Sequence, residues 1–152
     1  MATHTDVVGE EKHAKKPGDK KIQCVIVTPE KSMLDELVDF VALPLYDGEL
    51  GVLPGRTPLI GRLGFGELRT NKADHVERYF VEGGFAQVRD NVVTVLTQRA
   101  IPAAQLDATA TAHELDEVES HRAVTEHDRI ERDKAISRAR GMLRVARHKL
   151  GG

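Results

Sequence analysis

The side chains that could carry covalent or metal chemistry are few and poorly spaced for it. Cys24 is the single cysteine, so it has no partner for an internal disulfide or a thiolate metal site, and it sits in the apolar run Ile22–Val27 as a small core residue would. The three serines are Ser32, Ser120 and Ser137. Ser120 precedes His121, but the stretch has no glycine-rich elbow to expose a nucleophile, and a surface pair is the simpler reading. Asp74, His75 and Glu77 offer oxygen and nitrogen donors, yet on a strand only His75 and Glu77 share a face. His113, His121 and His127 form no i, i+4 pair, and His4 and His13 are irregularly spaced in a polar N-terminal stretch. With no HxH, HExxH or cysteine partner, these residues imply no metal site and no cofactor. Gly48 to Gly51 and Gly61 to Gly66 are glycine-rich but precede no GK[ST] helix, so they read as turns and bulges and not as phosphate cradles.

Composition narrows the remaining classes. The chain has 152 residues, 40% hydrophobic and 30% charged, with a net charge of −2. That suits one domain, or a small domain plus an appendage, with a modest core. Near-neutral charge and the absence of Trp argue against a nucleic-acid partner. No apolar run reaches the ~20 residues that span a bilayer, and no apolar signal core opens the chain, so the expectation is a protein made and kept in the cytosol or an equivalent compartment, without transmembrane insertion but able to dock on a membrane complex.

The elements that would position any site fall into three parts. Residues 1–20 are polar, with Gly9, Pro17 and Gly18, and read as a mobile tail. Residues 21–101 carry β signals. The runs Ile22–Thr28, Val38–Leu45, Leu50–Leu53, Glu67–Thr70, Val76–Val81, Phe85–Arg89 and Val92–Thr97 are separated by Asp47–Gly48, Pro54–Gly55, Gly83–Gly84 and Asp90–Asn91. Short strands punctuated this way predict an all-β sandwich or barrel. From 102 to 152 the composition turns helical, with no Gly or Pro between Ala103 and Arg140. Gln105–Leu106–Asp107 reads as a helix entry. Ala108, Ala112, Leu115 and Val118 make a weak apolar stripe, and Ile136, Ala139, Leu143, Ala146 and Leu150 a better one. Ser120–His121 is the best position for a helical turn, although one long helix fits the residues equally well. Acids dominate from Glu114 to Asp133. From Lys134 onward every charged side chain is basic, including Arg138, Arg140, Arg144 and Arg147. Those cations suit the negative end of a helix or an acidic protein surface.

One segment stands apart. Residues 47–60 read DGELGVLPGRTPLI, in which Asp47–Gly48, Pro54–Gly55 and Pro58 pin a rigid loop. Such loops present side chains at low entropic cost and suit docking. The string resembles the signature of the epsilon subunit of rotary F-type ATP synthases (called delta in mitochondria), roughly G-E-[LM]-G-[VI]-L-P-G-H-[TA]-P-L. Here it runs from Gly48 through Glu49, Leu50, Gly51, Val52, Leu53, Pro54, Gly55, Arg56, Thr57 and Pro58 to Leu59. Arg56 stands where the family usually has histidine. Val27–Thr28–Pro29–Glu30, Gly66–Glu67–Leu68, Val81–Glu82–Gly83–Gly84–Phe85 and Val93–Thr94–Val95–Leu96 follow in matching order.

The resemblance implies an N-terminal antiparallel β-sandwich of about ten strands followed by a C-terminal two-helix hairpin. It implies a non-catalytic rotor subunit of a proton-translocating ATP synthase, peripheral on the cytoplasmic face of the bacterial inner membrane, that couples the gamma subunit to the ring of c subunits. Asp47, Gly48, Glu49, Leu50, Gly51, Pro54, Gly55 and Arg56 would form the contact loop for the c ring and gamma. The helices would reach the alpha and beta subunits and inhibit ATP hydrolysis, with Arg138, Arg140, Arg144 and Arg147 on an acidic part of beta. Some relatives bind ATP through [IL]-D-x-x-R-A at the first helix. This chain has Leu106–Asp107–Ala108–Thr109–Ala110–Thr111, so Ala110 replaces the arginine and weak or absent ATP binding is expected. The alternative reading of the residues is a stand-alone β-sandwich that binds proteins or a small ligand.

Overall fold

A computed structural model describes residues 20–150 of the chain. The polar N-terminal stretch expected to be a tail, with His4 and His13, lies outside the described residues up to position 19, as do residues 151–152.

Ten strands precede two helices: β1 Ile22–Val27, β2 Ser32–Val38, β3 Phe40–Leu45, β4 Gly48–Val52, β5 Leu59–Arg62, β6 Phe65–Lys72, β7 His75–Glu82, β8 Phe85–Arg89, β9 Val92–Leu96 and β10 Ala100–Pro102. A 3₁₀ turn at Ala103–Gln105 leads to α1, Ala108–Ser120, and α2, Glu126–Leu150. The strands make two five-stranded sheets, ordered β2-β1-β9-β8-β5 and β10-β7-β6-β3-β4. Every named pairing is antiparallel except β1 with β9, which run parallel from Gln23–Val92 to Val27–Leu96.

The apolar run from Val38 to Leu45, expected as one strand, is two. Val38 ends β2 in the first sheet and Phe40 begins β3 in the second. Asp39 makes the corner. Its carboxylate accepts the Ala73 N–H at 2.7 Å and pairs with Lys21, while its own N–H donates to Asn71 O at 2.8 Å. A carboxylate can hold such a bend because it satisfies backbone donors that the sheet no longer pairs.

Alternation along the strands builds the inner core. Ile22, Cys24 and Ile26 of β1 face inward with Ala86 and Val88 of β8 and Val93 and Val95 of β9, against Val41, Leu43, Val52, Leu68, Tyr79 and Val81 of the second sheet. Strand β7 is buried on both faces at Tyr79, Phe80 and Val81, because a second core lies outside the second sheet. There Phe80 packs with Ala103, Leu106, Met142, Val145 and Ala146, flanked by Phe65 and Ile101. Of the expected stripe on α2, Ala139, Leu143 and Ala146 are buried and Ile136 is half-buried; Leu150 falls outside the described side chains. Gly141 marks the closest approach, where a Cβ would stand 2.9 Å from the Phe80 ring and 3.3 Å from the Phe65 carbonyl oxygen.

The helices fold back as a hairpin, and the single long helix is excluded. Asp107 caps α1, accepting the Thr109 N–H at 2.9 Å and the Ala110 N–H at 3.3 Å. At the other end His121 is extended, with ψ 128. Helix α2 restarts through a reciprocal cap, in which Asp128 N–H donates to Thr125 Oγ1 at 3.0 Å and Thr125 N–H donates to Asp128 Oδ2 at 3.4 Å. The break therefore needs neither Gly nor Pro.

Candidate docking surfaces and the helix seat

The segment 47–60 is an edge and not a single loop tip. Asp47 lies in the β3–β4 turn, where Gly48 has φ 141. Glu49, Leu50 and Gly51 lie within β4, which borders the second sheet. Pro54 and Gly55 follow the far end of β4, and the Gly55 N–H donates to Asn91 Oδ1 at 2.7 Å. The chain then enters β5 on the border of the first sheet. The segment thus crosses between sheets along one open side of the sandwich.

Alternation divides the candidate residues. Asp47, Leu50 and Arg56 line a shallow groove of about 470 Å³ with Tyr46, Ile60 and Arg62. Tyr46 is exposed, and the Arg62 guanidinium stacks 4.8 Å from its ring centroid. Glu49 sits on the outer face of the second sheet, 3.8 Å from Arg69. Gly51 shares that face, and a Cβ there would come within 3.0 Å of the Phe40 ring. Arg56 is exposed and its N–H donates to Leu53 O at 3.3 Å, closing the turn.

The outer face of the first sheet is a different surface. Register places Leu37, Leu96, Phe85 and Ile60 on it, from β2, β9, β8 and β5. All four are exposed, between 47% for Leu37 and 75% for Ile60. Helix α2 packs on β6 and β7 of the opposite sheet and leaves this face open. Phe85 and Leu96 stand directly opposite each other in the β8–β9 register with Ile60 on neighbouring β5, while Leu37 lies beyond β1 toward the other end of the sheet; exposed apolar side chains clustered as the first three are mark an interaction surface.

The four C-terminal arginines have separate fates. Arg138 Nε donates to Glu82 Oε1 at 2.6 Å, and its guanidinium lies 5.9 Å from the Phe65 ring centroid. Arg140 donates to Glu119 Oε2 at 3.0 Å, binding α2 to α1. Arg144 and Arg147 are exposed. Sequence reasoning assigned no role to the partners of this seat. Glu67 is nearly buried and gathers Arg78 at 3.5 Å, Arg69 at 3.7 Å and His148. Glu67 and Glu82 stand in the motif matches Gly66–Glu67–Leu68 and Val81–Glu82–Gly83, but nothing local links them to side chains more than fifty residues away.

The residues weighed for catalysis do not converge. The Ser120 hydroxyl donates to Glu117 O at 2.9 Å, and His75 Nε2 stands 3.3 Å from Glu77 Oε1 on an exposed strand end. Cys24 is fully buried, and burial, aided by Glu36 and Asp35, pushes its thiol up to about 12, far from the thiolate that reaction requires. Burial likewise raises Tyr79, followed by the charge of Glu77, to which its hydroxyl donates. Ala110 occupies the first turn of α1, with its N–H committed to Asp107. Among the described residues, no helix is long and apolar enough to cross a membrane.

Comparison with known proteins agrees with this geometry. Residues 21–103 match the family described as ATP synthase, Delta/Epsilon chain, beta-sandwich domain. The ATP synthase epsilon chain of Rhodopirellula baltica is 53% identical over 126 residues, covering 83% of this chain and 98% of that one. That of Granulibacter bethesdensis is 40% identical over 128 residues, covering 81% and 95%. A chain in the cryo-EM structure of the Euglena gracilis mitochondrial ATP synthase superposes with a TM-score of 0.74 at 25% identity, covering 88% of this chain and 91% of that one. A chain of the Tetrahymena thermophila mitochondrial ATP synthase central stalk and c-ring shares the fold, with a TM-score of 0.65 at 14% identity.

Proposed function

Because the chain belongs to the ATP synthase delta/epsilon family, we propose that it serves in the rotor by holding the gamma subunit on the open face of its first sheet. The observation that carries this reading is the exposed apolar pair Phe85 and Leu96, directly opposite in the β8–β9 register, with exposed Ile60 on neighbouring β5. Helix α2 packs over β6 and β7 on the outer face of the second sheet, whereas among the described residues no helix packs on the outer face of the first. Replacing Phe85 and Leu96 together by serine should abolish co-purification with gamma while leaving the circular dichroism spectrum and unfolding midpoint near wild type. Retained gamma would defeat this assignment.

The β4 edge and its turn are proposed to meet the c ring, on the cytoplasmic face of the bacterial inner membrane. Asp47 and Glu49 there are exposed, Asp47 in the groove with the Tyr46–Arg62 stack and Glu49 on the neighbouring sheet face. A cysteine at Glu49 should crosslink to subunit c in the assembled enzyme. The helical part is proposed to restrain ATP hydrolysis against the alpha and beta subunits, a reading supported by exposed Arg144 and Arg147 and by the basic run from Lys134. Deleting residues 134–152 should raise hydrolysis by the complex. With Ala110 in place of arginine, weak or absent ATP binding is proposed, and micromolar affinity in calorimetry on the isolated chain would contradict it.

A further inference from the structure

The inward stripe of α2 outruns the surface that receives it. Met142, Val145 and Ala146 pack on Phe80, and Gly141 stands against the Phe80 ring and the Phe65 backbone. Ile130, Lys134 and Ser137 precede Gly141 at spacings of four, three and four, so they continue the same helix face. Opposite them the sandwich presents glycine turns, Gly64 on one side and Gly83–Gly84 on the other. Glycine brings no side chain to fill the space, so the helix and the sandwich part. The gap is a cleft of about 640 Å³, within the range of about 300–1,000 Å³ typical of small-molecule sites.

The cleft is amphipathic. Its floor is apolar, with Leu63 buried and bridged to Leu45, and Phe65 beside them. Ile130 forms part of the wall and leaves 48% of its surface exposed. The floor's backbone is already paired, since Leu63 N–H donates to Gly84 O at 2.8 Å and Gly83 N–H to Gly64 O at 3.1 Å. An apolar group entering here displaces water without orphaning these peptide groups. Two cations line the cleft, Arg62 and Lys134. Arg62 lies over the Tyr46 ring, and among the described residues neither cation has a carboxylate within ion-pair distance. The one acid of the lining, Asp133, is largely exposed and faces Arg132 at 3.9 Å. The Ser137 hydroxyl has no hydrogen-bond partner among the described residues. Two uncommitted cations and a free hydroxyl beside an apolar floor complement an anionic head on an apolar body.

We propose that this cleft binds an alkyl carboxylate, its chain against Leu45, Leu63 and Ile130 and its head on Arg62 and Lys134. Arg62 can serve while stacked, because the Tyr46 ring takes the face of the guanidinium and leaves the in-plane N–H donors for a carboxylate. Lys134 adds a point charge from the helix side, and the Ser137 hydroxyl donates to the same head. Binding also covers the exposed part of Ile130, which water otherwise wets. The site is independent of the rotor reading, since every group in it belongs to this chain.

Decanoate is the probe, titrated into the full chain below its micelle concentration and followed by amide chemical shifts. Saturable shifts are expected at Gly64, Gly83 and Ser137. Decylammonium should bind more weakly by about tenfold or more, because its head is repelled by Arg62 and Lys134. Lys134→Gln and Arg62→Gln should each weaken decanoate about tenfold, the scale of one lost charge-assisted hydrogen bond. Ser137→Phe, at an exposed helix position, should fill the cleft and remove binding while the circular dichroism spectrum stays that of wild type. Absence of saturable shifts overturns the site. So do equal affinity for decylammonium, unchanged affinity in either glutamine variant, and shifts centred instead on Phe85 and Leu96.

Discussion

Arg132 closes the helical hairpin by donating from Nε to the carbonyl oxygen of His121 at 2.8 Å and from Nη2 to that of Glu119 at 2.7 Å. These carbonyls end α1, where no further turn of helix supplies N–H partners. The planar guanidinium suits the task because one side chain reaches two acceptors in a fixed fork. Arg132→Ala should cost about 1–2 kcal/mol of local stability. Amide exchange should rise in residues 115–121 and 126–132 and stay unchanged in the sandwich. Arg132→Lys should fall between the two, because an ammonium cannot bridge both carbonyls in one plane. Equal exchange in wild type and Arg132→Ala would refute this role.

Gly84 is the position where the sandwich has no room for a side chain. Its φ is +100, and a Cβ there would stand 1.9 Å from the Leu96 carbonyl oxygen. Neighbouring Gly83 also has positive φ, at +66, but its nearest atom would be the Phe65 ring at 3.9 Å. Gly83→Ala should therefore cost about 1–2 kcal/mol, the backbone penalty alone. Gly84→Ala adds a collision with backbone that cannot rotate away, and should cost upward of about 3 kcal/mol. Urea unfolding of both variants measures the difference, and equal midpoints would show that the β8–β9 ladder yields at little cost.

The contrast between these features shows what the chain states locally. Turn dipeptides such as Asp47–Gly48 and Asp90–Asn91 announce themselves because special φ values restrict the residue types. Periodicity in α2 is legible because one face meets one surface. The corner at Asp39 was hidden because an apolar run continues through it, and only the long-range partners Asn71, Ala73 and Lys21 explain the bend. Strand β5 was missed because four residues after Pro58 give too short a pattern. The hairpin break had a local signal, the spacing of Thr125 and Asp128, which the absence of Gly and Pro obscured. The seat of α2 had none, because Arg138 and Glu82 are 56 positions apart.

Cys24 and Tyr79 give the fold an alkaline weakness. The thiol moves from an ordinary 9.0 to about 12, mainly through burial. Above pH 9 the unfolded chain releases this proton while the folded chain keeps it. Stability from the group is therefore complete below pH 9 and declines as pH rises toward 12, at up to about 1.4 kcal/mol per pH unit. Tyr79 acts in the same direction from pH 10 upward, its hydroxyl raised by burial and then by Glu77. Cys24→Val should flatten the decline between pH 9 and 12 relative to wild type, and Tyr79→Phe should flatten its upper part. Parallel curves for wild type and Cys24→Val in denaturant titrations would contradict the assignment. Native-state alkylation at pH 8 should be slow for the same reason.

Gly141 sets helix propensity against docking, and the two effects can be read separately. Glycine inside a helix costs about 1 kcal/mol relative to alanine, so Gly141→Ala should raise the helicity of an isolated peptide spanning 126–150. In the full chain the new methyl group meets the Phe80 ring at 2.9 Å and the Phe65 carbonyl oxygen at 3.3 Å. Phe80 is fully buried, and the carbonyl belongs to strand β6. The methyl can be accommodated only if α2 lifts away, which loosens Met142, Val145 and Ala146 from Phe80 and draws Arg138 from Glu82. Overpacking of this kind costs about 1–3 kcal/mol, which exceeds the propensity gain over most of its range. The peptide should therefore become more helical while amide exchange of residues 138–146 in the full chain becomes faster. Slower exchange in the full chain would mean that intrinsic helicity, and not the fit at this glycine, governs how firmly the helix is held.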